Sequence, residues 1–160
     1  KTHRIKVRLN RKNVTLRYRR EYSDTSEDPL ASAFRFPELF QDFPFEARVT
    51  DKEGVLSIRM FVPTSELSFK SHGTGALFVV EMFGALLNKS GKWVGKKPLF
   101  KRRLERNFPS ELVTKILQSD TIDFTAQGKA RPGNYQLVIV LHQGVSGRIG
   151  TFVQDITVKK

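Results

Sequence analysis

The sequence predicts an all-β fold, an antiparallel two-sheet sandwich with two short helices. Short segments of alternating apolar and polar residues follow one another closely and are separated by turn residues, a pattern typical of sandwiches. Residues 75–88 form the longest apolar run, with Glu81 as its sole charge. In this run the residues at even-numbered positions and those at odd-numbered positions are both mostly apolar. Because alternate residues of a strand face opposite sides, we expect a central strand buried on both faces. The run is too short to cross a membrane, and Gly84 interrupts it.

Residues 1–22 form a basic segment ahead of the predicted sandwich domain, which spans residues 23–160. Residues 3–9 and 14–18 alternate around a turn at residues 10–13, so we expect a β-hairpin. Residues 1–22 as a whole carry nine Lys and Arg residues against one acid. The outer face of the hairpin is either a solvated face that discourages edge pairing or an anion-binding face. The hairpin can also link this chain to an upstream domain.

The remaining elements follow from capping, turn and periodicity signals. Asp28 and Pro29 open a short helix over residues 30–34, which ends before Pro37. A second helix opens at residues 109–111 and has an apolar stripe. The phenylalanine-rich segment 34–45 belongs to the core or to a docking patch. Strands are predicted over residues 45–50, 55–62, 65–69, 76–88, 99–108, 121–126, 135–142 and 149–158.

The sequence contains no cysteine, which excludes disulfides and thiolate metal sites. The polar run 24–28 has oxygen ligands suited to a divalent cation, but a solvated loop that caps the helix explains it better. His3, His72 and His142 lack the spacing of a zinc site. Residues 143–147 lack the Gly-x-Ser-x-Gly order of a nucleophile elbow. We therefore predict no catalytic, cofactor or metal residues and expect a protein that is not an enzyme.

Charge is the strongest functional signal. The formal net charge is +12, and the cations concentrate in residues 1–22 and 89–106, which flank an acidic middle. This distribution predicts one positive face that binds a polyanion or an acidic partner. Trp93 is either a stacking residue beside that face or a sheet-packing residue. The candidate binding residues are Arg4, Lys6, Arg8, Arg17, Arg19, Lys96, Lys97, Lys101, Arg102, Arg103 and Arg106.

Three segments together resemble a known family. They are residues 5–7 with 14–22, the helix start at residues 28–33, and Pro132-Gly133-Asn134-Tyr135 leading through residues 148–150 to 154–156. In this order they are similar to the C-terminal region of the von Willebrand factor A-related secreted proteins of acidobacteria. Glu21 departs from the family pattern, which has Gly at that position.

The resemblance implies an immunoglobulin-like or fibronectin-like domain that follows a von Willebrand factor A domain in a secreted or periplasmic protein. The upstream domain is then the expected partner, and its metal site does not carry over to this chain. We accordingly expect a non-catalytic accessory or interaction domain of a larger secreted protein. The alternatives are a polyanion-binding module for an acidic glycan or nucleic acid and, least favoured, an enzyme. For a secreted parent, an acidic protein or polysaccharide fits better than nucleic acid.

Two single residues carry further expectations. Tyr135 opens a late strand just after a turn and resembles a tyrosine corner, whose hydroxyl bonds to nearby backbone. Glu81 is a lone acid in the central strand, so we expect it to pair with a nearby Arg or Lys.

Overall fold

The computed structural model describes residues 2–4, 21–23, 29–95 and 97–159. These ranges contain ten strands and two α-helices. In chain order they are β1 (Thr2–Arg4), β2 (Glu21–Ser23), α1 (Pro29–Arg35), β3 (Glu46–Lys52), β4 (Val55–Pro63), β5 (Lys70–His72), β6 (Gly75–Leu87), β7 (Phe100–Pro109), α2 (Ser110–Leu117), β8 (Thr121–Lys129), β9 (Gly133–Gln143) and β10 (Ile149–Val158). Neither helix is long and apolar enough to cross a membrane.

Strand β6 is the centre of the larger sheet. Residues 75–84 pair with β7, whereas residues 80–87 pair with β9 and residues 75–77 with β5. Because residues 75–77 have both β5 and β7 as partners, these strands lie on opposite edges of β6. Strand β10 continues the sheet beyond β9. The prediction of a central strand over residues 75–88 is therefore confirmed.

The smaller sheet contains β3, β4 and β8 in that order. Strands β3 and β4 form the predicted hairpin, and its turn uses positive φ angles at Glu53 and Gly54. The inner faces of the two sheets share one apolar core, which confirms an all-β sandwich. Its fully buried members include Leu56, Ile58, Met60, Val62, Phe78, Leu137, Ile139 and Leu141.

Helix α1 covers the outer face of the larger sheet. Ala33 and Phe34 of the helix are buried against Phe83, Val138 and Val140 of β6 and β9. This second core explains why both alternating faces of β6 are apolar, since each face has its own covering layer.

The phenylalanine-rich segment contributes mainly to the core, as the first of its two interpretations predicts. Phe34, Phe43 and Phe45 are buried, whereas Phe36 is 40% exposed. Phe43 belongs to the core between the sheets, and Phe34 belongs to the core beneath α1.

The predicted strand over residues 65–69 is wrong. A 3-10 helix occupies Thr64–Glu66, and the strand β5 begins only at Lys70. The backbone N–H of Ser68 donates to the side-chain oxygen Oε1 of Gln143 at 2.8 Å. A buried side chain from a distant strand thus satisfies a backbone group that a ladder would otherwise pair.

At the N-terminus, β1 pairs antiparallel with β2, and Arg4 lies opposite Glu21. The rest of the predicted hairpin, including its turn at residues 10–13, lies outside the described residues. So does the loop at residues 24–28.

Candidate functional site: a basic edge strand

Strand β7 carries the described part of the predicted basic surface. Lys101, Arg102, Arg103 and Arg106 are exposed on this strand, and Lys97 is exposed in the loop before it. Of the other predicted residues, only the backbone of Arg4 is described, in β1. The remaining ones, Lys6, Arg8, Arg17, Arg19 and Lys96, lie outside the described residues. The structure therefore brings four predicted cations together on one strand.

The alternation of β7 divides these cations between two sides. Lys101 lies opposite Phe83 in the register with β6, on the side that α1 covers, and Arg103 shares that side. Arg102 lies opposite Met82, on the side that faces the smaller sheet, and Arg106 shares that one. A ligand that follows the strand thus meets positive charge on both of its sides.

Two of the cations on β7 have contacts with other strands that restrain their side chains. Lys101 Nζ lies 5.2 Å from the ring centroid of Phe83, within the range of a cation–π interaction. Arg102 donates to the carbonyl oxygen of Thr125 at 3.4 Å and so links β7 to β8 of the smaller sheet. Because the side chains are already restrained, they lose less conformational entropy when a ligand binds.

Arg103 belongs to a row of charged side chains across three strands. One of its terminal nitrogens lies 2.9 Å from Glu81 Oε1, and the other lies 2.7 Å from Glu105. The second oxygen of Glu81 lies 2.9 Å from His142 Nδ1. The expected partner of Glu81 is thus Arg103, and His142 is a further partner that the sequence pattern does not indicate.

Interactions within this row shift the pKa of Glu81 and the pKa of Arg103. The hydrogen bond with His142, followed by that with Arg103, lowers the pKa of Glu81, although partial burial opposes the change. Glu105 and then Glu81 raise the pKa of the Arg103 guanidinium. Because Arg103 is paired with two carboxylates, Lys101, Arg102 and Arg106 are the cations of β7 most available to a ligand.

Two shallow grooves adjoin this strand. One, of about 470 Å³, lies between β7 and β8 and has Met82, Leu104 and Phe124 among its lining residues. The other, of about 550 Å³, brings Lys97 together with Lys129 and Arg131. Because Lys129 and Arg131 follow Lys97 by more than thirty residues, no local pattern groups them with it.

Trp93 has a packing role with one side left open. Its ring makes an edge-on contact with Phe34, with ring centroids 5.1 Å apart. Its backbone forms an isolated antiparallel β-bridge with Leu87. The residue remains 44% exposed. The sheet-packing interpretation is therefore supported at this position.

Among the described residues, no group of three or more His, Asp or Glu side chains is placed to hold a metal ion.

A scan against protein-family models and a search of curated proteins each found no match to this chain. The resemblance to von Willebrand factor A-related proteins therefore stays a prediction.

Proposed function

We propose that this chain is a non-catalytic accessory domain of a larger secreted protein and that it binds an acidic partner through β7. The observation that carries the proposal is the set of four exposed cations on one ten-residue strand at the edge of the larger sheet. Such a cluster attracts acidic surfaces and sets the orientation in which they dock.

The proposal includes an immunoglobulin-like domain type. The Tyr135 hydroxyl donates to the carbonyl oxygen of Arg131 at 3.0 Å, which supports a tyrosine corner of the kind found in such sandwiches. The upstream von Willebrand factor A domain and the secreted or periplasmic location rest on the sequence resemblance alone.

A second candidate is a polyanion-binding module for an acidic glycan or nucleic acid. The groove that contains Lys97, Lys129 and Arg131 favours it, because these cations extend the positive surface beyond β7. A long, flexible polyanion can contact both sets of cations, whereas a small acidic patch on a protein needs only one.

Charge reversal tests the proposed surface. The variant Lys101→Glu/Arg102→Glu/Arg106→Glu is compared with Lys52→Glu/Lys70→Glu/Lys115→Glu, which changes net charge equally at exposed positions on other elements. The probes are poly-glutamate and heparin, titrated by calorimetry at several salt concentrations. We expect the β7 variant to bind poly-glutamate at least tenfold more weakly and the control variant to bind like the wild type.

Equal losses in both variants would show that net charge alone drives binding, against a specific surface on β7. The third variant, Lys97→Glu/Lys129→Glu/Arg131→Glu, separates the two candidate functions. The polyanion-binding module predicts weaker heparin binding and a shallower salt dependence for this variant. The accessory domain, whose partner uses the cations of β7 alone, predicts unchanged heparin binding for this variant.

A further inference from the structure

Within the described part of the chain, no strand pairs with the outer edge of β7, and this edge presents a regular set of backbone groups. The backbone N–H of Gly144 donates to the carbonyl oxygen of Val79 at 2.9 Å, so the odd-numbered residues of β6 direct their backbone groups toward β9. The even-numbered residues of β6 therefore bond to β7. Through the register of the pair, the even-numbered residues of β7 are bonded to β6. The backbone groups of Lys101, Arg103, Glu105 and Asn107 consequently point away from the sheet.

Two further observations agree with this assignment. The N–H of Val94 donates to the carbonyl oxygen of Leu86, an even-numbered residue, on the β7 side of β6. Pro109 occupies an odd-numbered position of β7, opposite Gly75. A proline has no N–H to donate, so it suits a position whose backbone faces the edge.

The opposite edge of the same sheet is partly covered, which distinguishes it from β7. At the start of β10, the N–H of Asp42 donates to the carbonyl oxygen of Ile149, and the Asp42 carboxylate accepts from the N–H of Ile149. Along β7, residues 101–103 and 105–107 are all exposed. Among the described residues, β6 is the one strand paired with β7.

We propose, on the basis of the proposed function, that the acidic partner is an extended peptide segment that adds to β7 as a further strand. Strand addition uses the free N–H and C=O groups for affinity and alternate side-chain positions for specificity. The cations on both sides of β7 require a peptide rich in Asp and Glu. A residue opposite Leu104 would face the groove that contains Phe124, so an apolar side chain suits that position.

The same features argue against two other occupants. In a second copy, edge-to-edge pairing would bring together two strands with four cations and one acid each, and such charges oppose pairing. A glycan or a nucleic acid lacks the alternating N–H and C=O groups that form a ladder. Either would contact the side chains of β7 and leave its edge amides unpaired.

Two peptides of equal charge test the mode of binding with the full chain. The probe is (Glu-Val)5 with blocked ends, and the control is the same peptide N-methylated at every backbone amide, which keeps the charge but has no N–H to donate to a ladder. We expect the probe to bind at least tenfold more tightly in calorimetry. In hydrogen exchange followed by NMR, the amides of Lys101, Arg103 and Glu105 should slow at least tenfold when the probe saturates the protein. The already bonded amides of Leu104 and Arg106 should change little.

A backbone variant adds a test that leaves the charge of β7 unchanged. Asn107→Pro removes one edge N–H, and Asn107→Ala is its matched control. With folding of both verified by circular dichroism, we expect the proline variant to bind (Glu-Val)5 at least threefold more weakly and heparin equally well.

Each contrary outcome has a distinct meaning. Equal binding of both peptides with unchanged edge amides overturns strand addition, while the basic surface of the proposed function stands. Heparin binding without peptide binding also overturns the inference and favours the polyanion module. Self-association that protects the same amides assigns the edge to a second copy. If wild-type protein binds neither peptide nor heparin at low salt, the proposed function fails as well.

Discussion

Glu81 and His142 lie directly opposite each other on β6 and β9, with 2.9 Å between Glu81 Oε2 and His142 Nδ1. On the other side of β6, Arg103 of β7 reaches Glu81 Oε1 at the same distance. The single carboxylate of the central strand therefore joins three neighbouring strands on the outer face of the larger sheet.

Replacing Glu81 by Gln should destabilise the fold by about 1–2 kcal/mol, because a neutral amide makes weaker hydrogen bonds to both partners. The free energy of unfolding is measured in urea at pH 7. Glu105→Gln is the control, since the Glu105 side chain is 52% exposed and contacts Arg103 alone among the described ion pairs. It should cost less than about 1 kcal/mol. Equal losses would contradict a special role for Glu81.

The stability contributed by Glu81 should disappear in acid. Its folded-state pKa is lowered from the ordinary value of 4.5, so the folded state favours the ionised carboxylate. The contribution of Glu81 to the free energy of unfolding is fully present above pH 4.5. It declines as the pH falls through the lower pKa of the folded state. The difference in unfolding free energy between wild type and Glu81→Gln should therefore shrink below pH 4.5. A difference that widens in acid would show the opposite shift.

Gly84→Ala should destabilise the sandwich by about 1–3 kcal/mol through overpacking. A Cβ atom at this position would clash with the Phe100 ring, which is itself buried. Thermal and urea unfolding measure the loss. Phe100→Leu in the same background removes the ring that the new Cβ atom would meet. The double variant should therefore lose less unfolding free energy than the sum of the losses in the two single variants. Strict additivity would argue against a direct clash.

Phe34→Ala should lower the free energy of unfolding by about 3–5 kcal/mol, because it leaves a cavity in the core between α1 and the larger sheet. Phe34 is 5% exposed and packs against Phe83 and Trp93. Trp93 is the one tryptophan of the chain, so its emission should shift to longer wavelength. Phe36→Ala, at a position 40% exposed, should change stability by less than about 1 kcal/mol and leave the emission unchanged.

Gln143→Leu should destabilise the protein by about 1–3 kcal/mol, because it leaves the partly buried backbone N–H of Ser68 without its partner and removes one of the two side-chain donors to the Glu66 carbonyl oxygen. Gln143 is 1% exposed, accepts from the N–H of Ser68 and donates to the carbonyl oxygen of Glu66, each at 2.8 Å. Urea unfolding reports the loss, and exchange of the Ser68 amide should accelerate.

The control for this substitution is Gln136→Leu, at an exposed position of the same strand. It should stay within about 0.5 kcal/mol of the wild type. If the two leucine variants were equally stable, the hydrogen bonds of Gln143 would not hold residues 66–68.

Local patterns predict most strands closely. The predicted strand over residues 149–158 coincides with β10, and the prediction over residues 76–88 differs from β6 by one residue at each end. Alternation and turn residues are properties of neighbouring positions, so they can be read before any partner is known. The strand predicted over residues 65–69 fails because Gln143, far along the chain, takes over its backbone bonding.

The candidate site is predictable only in part. The sequence indicates the basic strand, its alternation and a cationic partner for Glu81. It does not indicate that β7 lies at an edge, that His142 joins the row, or that Lys129 and Arg131 lie near Lys97. Each of these depends on which strands become neighbours.

By itself, the sequence determined an all-β chain organised around one strand buried on both faces, with its positive charge concentrated in two segments. Alternation decides which face a side chain occupies, because successive side chains of a strand point to opposite sides. Tertiary structure alone decided that β9 and β7 flank β6, so that Glu81 meets His142 and Arg103. Pairing between strands far apart in the chain depends on how the two sheets bury their apolar faces together, and no single segment contains that information.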